Sequence, residues 1–487
     1  MAYEKNSVRR NEFDLSHEHK LSLDMGWLVP CMVEEVLPGD TFLHKASALA
    51  RVAPLAKPLM HRVELRMHSF FVPNRILWDQ WENFITGETT TEDKPTQFVQ
   101  AGDKLADHMG IPPTAGLEVD ALPFRAYAMI YNEYYRDQDL QPEISLDNTE
   151  LQRICWQKDY FTVARPKPQQ GEAVPLGFQS GLAPVNGIGW TSASSNSGLS
   201  SFKETVGAQP SGAARGAATN QSGVFIAEDP DNTNRPFVHA DLSGVEGGIA
   251  IDDLRRSMAL QRFAEARMRF GHRYVDYLRY CGVNPSDGRL SRPEYLGGGK
   301  DTLNFSEVLA TADGTSTNVG DLYGHGIGMG NSGLYRKYFE EHGWVITLIS
   351  ARPKTVYSEA LPKKFLRTDP MDYHQRELEV MPWQEVRQNE VHKNGDPNTI
   401  FGYVPRYEEY RHSTSQVSGT LRGGTENDWH MAREFSTPPS LNGSFVECTP
   451  TERIYSDASM PDLIVNVMHS LRARRGIGQT ASMGMDL

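Results

Sequence analysis

A mainly β fold, a sandwich or barrel interrupted by a very large insertion, is what this sequence predicts, on three observations. Residues 60–71, MHRVELRMHSFF, alternate apolar Val63, Leu65 and Met67 with polar Arg62, Glu64, Arg66 and His68, the period-two pattern of a half-buried strand. Further short β-rich stretches at 26–36, 41–52, 344–350 (WVITLIS), 399–404 and 445–448 are separated by proline and glycine turns such as LPGD at 37–40, as strands require. Finally, the stretches fall in two clusters, one before Pro73 and one after Gly343, and the interval between them reads mainly as helices and loops. Pairing the clusters yields one β core with a long excursion.

Helices within the interval follow from spacing. Trp78, Trp81 and Ile85 recur at three and four residues and mark a short amphipathic helix after Pro73. Phe124, Tyr127, Tyr131 and Tyr134 form an aromatic stripe in FRAYAMIYNEYYRDQ, which suits either core packing or base stacking. A third helix starts near Asp252 or Asp253, whose carboxylates favour the amino end of a helix dipole. It carries Arg255, Arg256, Arg262, Arg267, Arg269 and Arg273, a set open to three readings: a solvated face, ion pairs between subunits, or nucleic-acid contact. Tyr274, Tyr277, Leu278 and Cys281 share a later stripe that ends at Gly282. Residues 171–225 behave differently: 27 of the 55 are glycine, serine or alanine and only 4 are charged. Such a segment specifies neither helix nor strand, and its low charge favours an ordered surface projection over a solvated linker.

Composition narrows the function. Hydrophobic residues make up 39%, with 42 glycines besides, enough for a globular core. No stretch of eighteen apolar residues occurs, and the opening MAYEKNSVRRNEFDLSHEHK is too charged for a signal peptide, so a soluble, unsecreted product is expected. Cys31, Cys155, Cys281 and Cys448 are too scattered for a zinc site or redox pair and read as reduced packing residues. With 49 basic against 62 acidic residues, the net charge of −13 makes the chain repel nucleic acid as a whole. Any polyanion contact must be local. The basic candidates lie near the termini: Arg9 and Arg10 beside Lys5, and Arg472, Arg474 and Arg475 in MHSLRARRG. Short basic runs are solvated tails unless a phosphate backbone meets them.

Two glycine-rich stretches test for an enzyme. In RLSRPEYLGGGK a Walker loop would need glycine at Glu294 and a hydroxyl where Asp301 follows Lys300. GMGNSG at 328–333 fits G-x-G-x-x-G but follows the glycine-rich NVGDLYGHGI rather than a hydrophobic strand. Both are expected to be turns. His17 and His19 share a face only in a strand and lack a third ligand nearby. H-E-x-x-H, G-x-S-x-G and C-x-x-C do not occur. No catalytic residue, metal site or cofactor is therefore expected, and a carbohydrate-binding or glycoside-hydrolysing β-sandwich stands as the rival class.

Several ordered blocks, FDLSHEHKLSLDMGWLVPCMVEEVLPGDTF, MHRVELRMHSFFVPNRILWDQWENFITG, FRAYAMIYNEYYRDQDL, WQKDYF, RLSRPEYLGGGK, FGYVPRYEEYR and WHMAREF, closely resemble the major capsid protein of microviruses, above all the gokushovirus branch. After WQKDYF this chain has ARPKPQ where LPWPQ is expected, so Arg165 and Lys167 stand in apolar places. The resemblance implies that residues 1–487 form a single eight-stranded viral jelly-roll domain. Within it, 168–248 would be a surface insertion forming a three-fold protrusion, and 249–343 a helical and loop insertion. It further implies pentamers assembling into a 60-copy, T=1 icosahedral virion shell around circular single-stranded DNA. Implied partners are a small basic DNA-binding protein, an internal scaffolding protein, a DNA pilot protein and a host surface receptor met by the insertion. Assembly would take place in the host cytoplasm. Long loops suit such a shell, since each specific interface takes about 800 Å² from each partner.

Overall fold

The computed structural model describes residues 10–87, 94–171, 185–186, 228–229, 232–236, 239–240, 251–270, 273–282, 291–309, 320 and 322–478. The chain divides into two compact units, Met1–Pro168 with Phe270–Leu487, and Gln169–Arg269. Most of the segment expected as the surface insertion, 168–248, lies outside the described residues.

The first unit is built on β1 (Asn11–Asp14), β2 (His17–Leu23), β3 (Trp27–Val36), β4 (Thr41–Val52), β5 (Val63–Pro73) and β6 (Gln152–Arg153). The later strands are β7 (Glu294–Leu309), β8 (Leu322–Asn331), β9 (Tyr335–Tyr338), β10 (Gly343–Pro353), the hairpin β11 (Trp383–Arg387) and β12 (Ile400–Pro405), and β13 (Leu463–Arg475). Apart from the hairpin, these strands join in the order β1-β13-β4-β8-β7-β5-β10-β3-β6, with β2 also on β13 and β9 also on β4. Every pairing is antiparallel. The pivot is β7, which runs beside β5 from Glu294 to Leu303 and beside β8 from Asn304 to Leu309. This change of partner turns the sheet into two layers, the mainly β sandwich of a jelly roll. Between them lies a core of Leu21, Ala48, Leu65, Leu303, Ile349, Val465 and their neighbours.

The two layers differ on their outer faces. Behind β3, β5 and β10 pack α1 (Asn74–Leu77), α2 (Trp81–Thr86), α3 (Lys104–His108) and α4 (Leu122–Ile130), with Leu28, Phe70, Ile346 and Leu348 meeting Trp78, Leu105, Phe124 and Tyr127. Burial on both faces explains why WVITLIS carries apolar residues on both sides of the strand instead of alternating, with Thr347 and Ser350 buried as well. It also changes the meaning of Arg66 and His68: the polar face of β5, expected to meet solvent, lies half-buried beneath this helical cover. Of the aromatic stripe, Phe124, Tyr127 and Tyr131 are core residues. A π-helical turn at Tyr131–Tyr135 then changes the helical phase, and Tyr134 reaches the surface. The opposite layer, β13, β4 and β8, has no such cover among the described residues, and its strands alternate between buried positions and exposed or half-buried ones.

Residues 249–343 differ from the expected helices and loops. Helices α5 (Ile251–Phe270) and α6 (Tyr274–Tyr280) are present, but β7, β8 and β9 follow and belong to the main sheet. Both glycine-rich stretches, expected as turns, are strand. In β8 every second residue from Gly324 to Gly330 is glycine, and these face inward. A Cβ on Gly328 would stand 2.2 Å from Leu303 Cδ2, so the bare backbone is what allows β8 to close on the facing layer. One on Gly299 would stand 1.8 Å from the Asn331 carbonyl oxygen. The absence of a hydrophobic strand before GMGNSG is thus the signature of a strand whose inner side chains have been removed.

Two smaller expectations also change. Residues 445–448, expected as a strand, begin in a short helix, Gly443–Val446, where the Asn442 side chain accepts from the Phe445 amide at 3.0 Å. Arg165, which replaces an apolar residue of the resembled pattern, pairs with Asp139 and lies 3.4 Å from the buried Asp137. Cys31 and Cys448 are buried as packing residues, Cys155 is half-buried and Cys281 is exposed.

Gly328→Val is expected to destabilise the subunit by about 2 kcal/mol or more through overpacking, read as a lower midpoint of denaturant unfolding. Gly333→Ala, whose Cβ would keep an ordinary 3.4 Å from its nearest neighbour, should leave the midpoint close to wild type.

Candidate functional site

The uncovered sheet face is an ordered surface. Strand register places Met329 opposite Leu49 and Leu49 opposite Asn466. One row along, Ile327 and Ile464 flank Arg51, while Asn331 and Met468 flank Ser47. Leu49, Ile327, Met329, Ile464 and Met468 are all exposed, Met329 to 69% and Met468 to 54%. Five large apolar side chains interleaved with Arg51, Asn331 and Asn466 have the mixed composition of a protein interface. Alternation in the sequence indicated which residues of β4 and β13 faced outward. That those of β8 join the same patch was hidden by its glycines.

At one end of this layer the basic run of β13 meets β1. Arg472 and Arg474 point outward with the other exposed residues of the strand. Arg472 lies 3.7 Å from Glu12, both side chains being largely exposed. Arg10 sits over the Tyr338 ring at 5.2 Å and donates weakly to its hydroxyl at 3.4 Å. Arg475 turns inward: its Nε donates to the buried Asp40 carboxylate at 2.9 Å and Nη2 to the Glu35 carbonyl at 2.7 Å. Burial raises the Asp40 carboxyl above its ordinary range, and the Leu37 amide and Arg475 act against that rise. Arg9 lies outside the described residues. The structure therefore brings Arg472 and Arg474 to one exposed face and commits Arg475 to the fold.

Beside this edge is a histidine cluster that the sequence spacing did not reveal. His44 of β4 and His469 of β13 are fully buried, their Nε2 and Nδ1 atoms 3.1 Å apart. His469 Nε2 bonds the Cys31 carbonyl at 3.0 Å, which His19 Nδ1 also reaches at 2.8 Å, and His17 stacks on His469 at 5.0 Å. Burial, then His17, holds His44 down to about 4; burial, then His44 and His17, holds His469 down to about 3. Both rings are thus neutral near pH 7. The Glu34 carboxyl is raised by burial, with His17 and Arg475 acting against that rise.

Among the described residues no group of three or more histidine, cysteine or acidic side chains could hold a metal ion.

Comparison with known proteins gives a consistent result. Residues 2–485 match the family described as capsid protein (F protein). The chain is 31% identical to capsid protein VP1 of Chlamydia phage 1, over 96% of this chain and 94% of that one. It is 34% identical to capsid protein VP1 of Bdellovibrio phage phiMH2K, over 93% and 91%. Against capsid protein VP1 of Spiroplasma virus 4 the identity is 28%, over 91% and 89%.

Two outcomes are expected. Arg475→Ala should cost the subunit about 3–5 kcal/mol by stranding the buried Asp40 carboxylate, whereas Arg472→Ala should cost about 0–1 kcal/mol because its partner is exposed, both read by denaturant unfolding. In the unfolded chain histidine takes up a proton near pH 6.5, but in the fold His44 does so only near 4. Its contribution to stability is therefore complete above about pH 6.5 and lost as pH falls toward 4, by about 3 kcal/mol at most. Asp462, pushed up to about 6 by burial, acts in the opposite sense, so the informative quantity is a difference. Stability of His44→Gln should fall less than that of wild type between pH 6.5 and 4.

Proposed function

The chain belongs to the capsid protein (F protein) family, in its gokushovirus-like branch, and from that premise we propose that pentamers of it assemble into a T=1 icosahedral shell enclosing circular single-stranded DNA. A capsid protein of this family is a structural component of the virion that assembles with copies of itself. The observation that carries the finer reading is the uncovered sheet face. Neighbouring copies would bury Leu49, Ile327, Met329, Ile464 and Met468, which a lone subunit leaves in water. A closed shell gives each copy several such contacts at once, so modest individual interfaces add up to a durable particle.

Arg10, Arg472 and Arg474 are the cations available at the strand edge for the packaged strand, with Arg9 preceding them in the sequence. Arg475 contributes at most its field. A subunit of net charge −13 needs help in neutralising a genome, which favours a small basic partner protein inside. Scaffolding and pilot proteins, and assembly in the host cytoplasm, complete the proposal. The low-charge sequence within 168–248 is proposed to project for host attachment, on its composition.

The double variant Leu49→Asp/Met329→Asp tests the reading, because both positions are exposed and the subunit should still fold. Wild-type protein, produced with its viral companions, should sediment as closed particles holding nuclease-resistant single-stranded DNA. Folded double-variant protein should sediment as small species. Normal particles from the double variant would contradict the assignment of this face, and wild-type particles without DNA would contradict enclosure.

A further inference from the structure

The covered layer holds a second feature, separate from the uncovered face. On the outer face of β5 and β10, strand register sets Arg66 opposite Ser350 and Glu64 opposite Arg352. With His68 and Phe70, the residues Arg66, Ser350 and Arg352 line a cavity of about 470 Å³, which the π-helical turn and the segment carrying Trp156 and Lys158 line from the other side.

Its chemistry is one-sided. Four cations line it, Arg66, Arg136, Lys158 and Arg352, against the single carboxylate of Asp137. Lys158 takes Asp137 and Arg136 takes Glu143 at 2.8 Å. Arg66 bonds Glu64 at 2.8 Å through Nη2, while its buried Nε has no partner among the described residues. Arg352 donates to the Cys155 carbonyl at 3.1 Å, and the carboxylate that supports its charge is that of Glu64 opposite it, which already bonds Arg66. Two half-buried guanidinium groups that share one carboxylate leave positive charge unmatched, which is costly unless something anionic arrives. The effect is visible in both neighbours: burial, then Arg66, brings Arg352 down to about 10, and burial, then Arg66 and Arg352, brings His68 down to about 4.

The other half of the cavity is aromatic. Phe70 lies 4.8 Å from the Tyr134 ring and 5.5 Å from that of Tyr295, and His68 meets Tyr295 edge-on at 5.8 Å. Tyr295 lines the cavity and is itself 50% exposed. Gly298 keeps this arrangement open, since a Cβ there would stand 2.5 Å from His68 Cδ2 and 2.7 Å from the Tyr295 hydroxyl. The run of three glycines thus bears on ligand chemistry, though not as a Walker loop.

A half-exposed aromatic ring beside two guanidinium groups that share one carboxylate fits a flat base joined to a phosphate. We propose that this cavity binds one nucleotide unit, its base on Tyr295 and Tyr134 and its phosphate on Arg352 and Arg66. The source is a single strand rather than a free mononucleotide. Strand contacts at several nucleotides would add to the one site, and that choice rests on the proposed enclosure of single-stranded DNA. The ligand chemistry does not.

Binding to purified, unassembled full-length chain, followed by calorimetry, tests the proposal with octathymidylate, thymidine monophosphate, inorganic phosphate and a short acidic peptide containing tyrosine. Octathymidylate should bind most tightly, the mononucleotide about tenfold or more weaker, and phosphate weakest. Arg352→Gln should weaken octathymidylate binding about tenfold or more and lower the salt slope by about one unit. Tyr295→Ala, at an exposed position, should weaken it similarly with the slope unchanged. Wild-type affinity in both cavity variants, preference for the acidic peptide, or equal binding of phosphate and nucleotide would overturn the proposal. A mononucleotide binding as tightly as the octamer would overturn the strand as the source. The enclosure reading fails separately: particles lacking DNA would defeat it even if the unassembled chain bound octathymidylate as expected.

Discussion

One asymmetry governs this molecule: the chain covers one outer face of its β sandwich with its own helices and leaves the other to something else. Stacked layers share the core around Leu65, Ile349 and Val465, and that core would form whatever happened outside. The outer faces then diverge. Behind β3, β5 and β10 the segment from Asn74 to Tyr135 supplies Trp78, Phe124 and Tyr127, making that layer an interior one. Behind β4, β8 and β13 no comparable cover exists among the described residues, and large apolar side chains remain in water.

Each face imposes its own chemistry. A strand covered on both sides must satisfy its polar residues internally, and β5 does so in part: Arg66 bonds Glu64 within the strand and His68 bonds the Tyr135 hydroxyl, while Arg66 Nε has no partner among the described residues. The surplus positive charge collected there makes the cavity receptive to an anion. The uncovered face has the opposite deficit, since its apolar side chains gain only when another surface excludes water from them. Assembly and ligand binding are in this sense two consequences of a single distribution of cover.

The sequence made much of this legible. Alternation located β4 within its observed bounds and β5 to within a few residues, and the aromatic stripe at Phe124, Tyr127 and Tyr131 behaved as core. Ordered blocks of residues identified the family from the same string. What escaped had a physical reason. Glycine carries no hydrophobic signal, so β8, whose inward residues are glycines, and β7, with three in succession, looked like loops. Polar alternation in MHRVELRMHS indicated a solvent face because nothing local encodes a helical cover brought from fifty residues downstream. Arg475 resembled Arg472 and Arg474 in a basic run, and only its position beside the buried Asp40 separates a structural cation from exposed ones. His44 and His469, 425 residues apart in sequence, share no local pattern.

Oxidation of methionine in lone subunits and in assembled particles, followed by mass spectrometry, measures most directly whether copies of this chain provide the missing cover. Met329 and Met468 should oxidise readily in unassembled protein and become strongly protected in particles. Equal oxidation rates in the two states would mean that the face stays in water, and the central claim would fall.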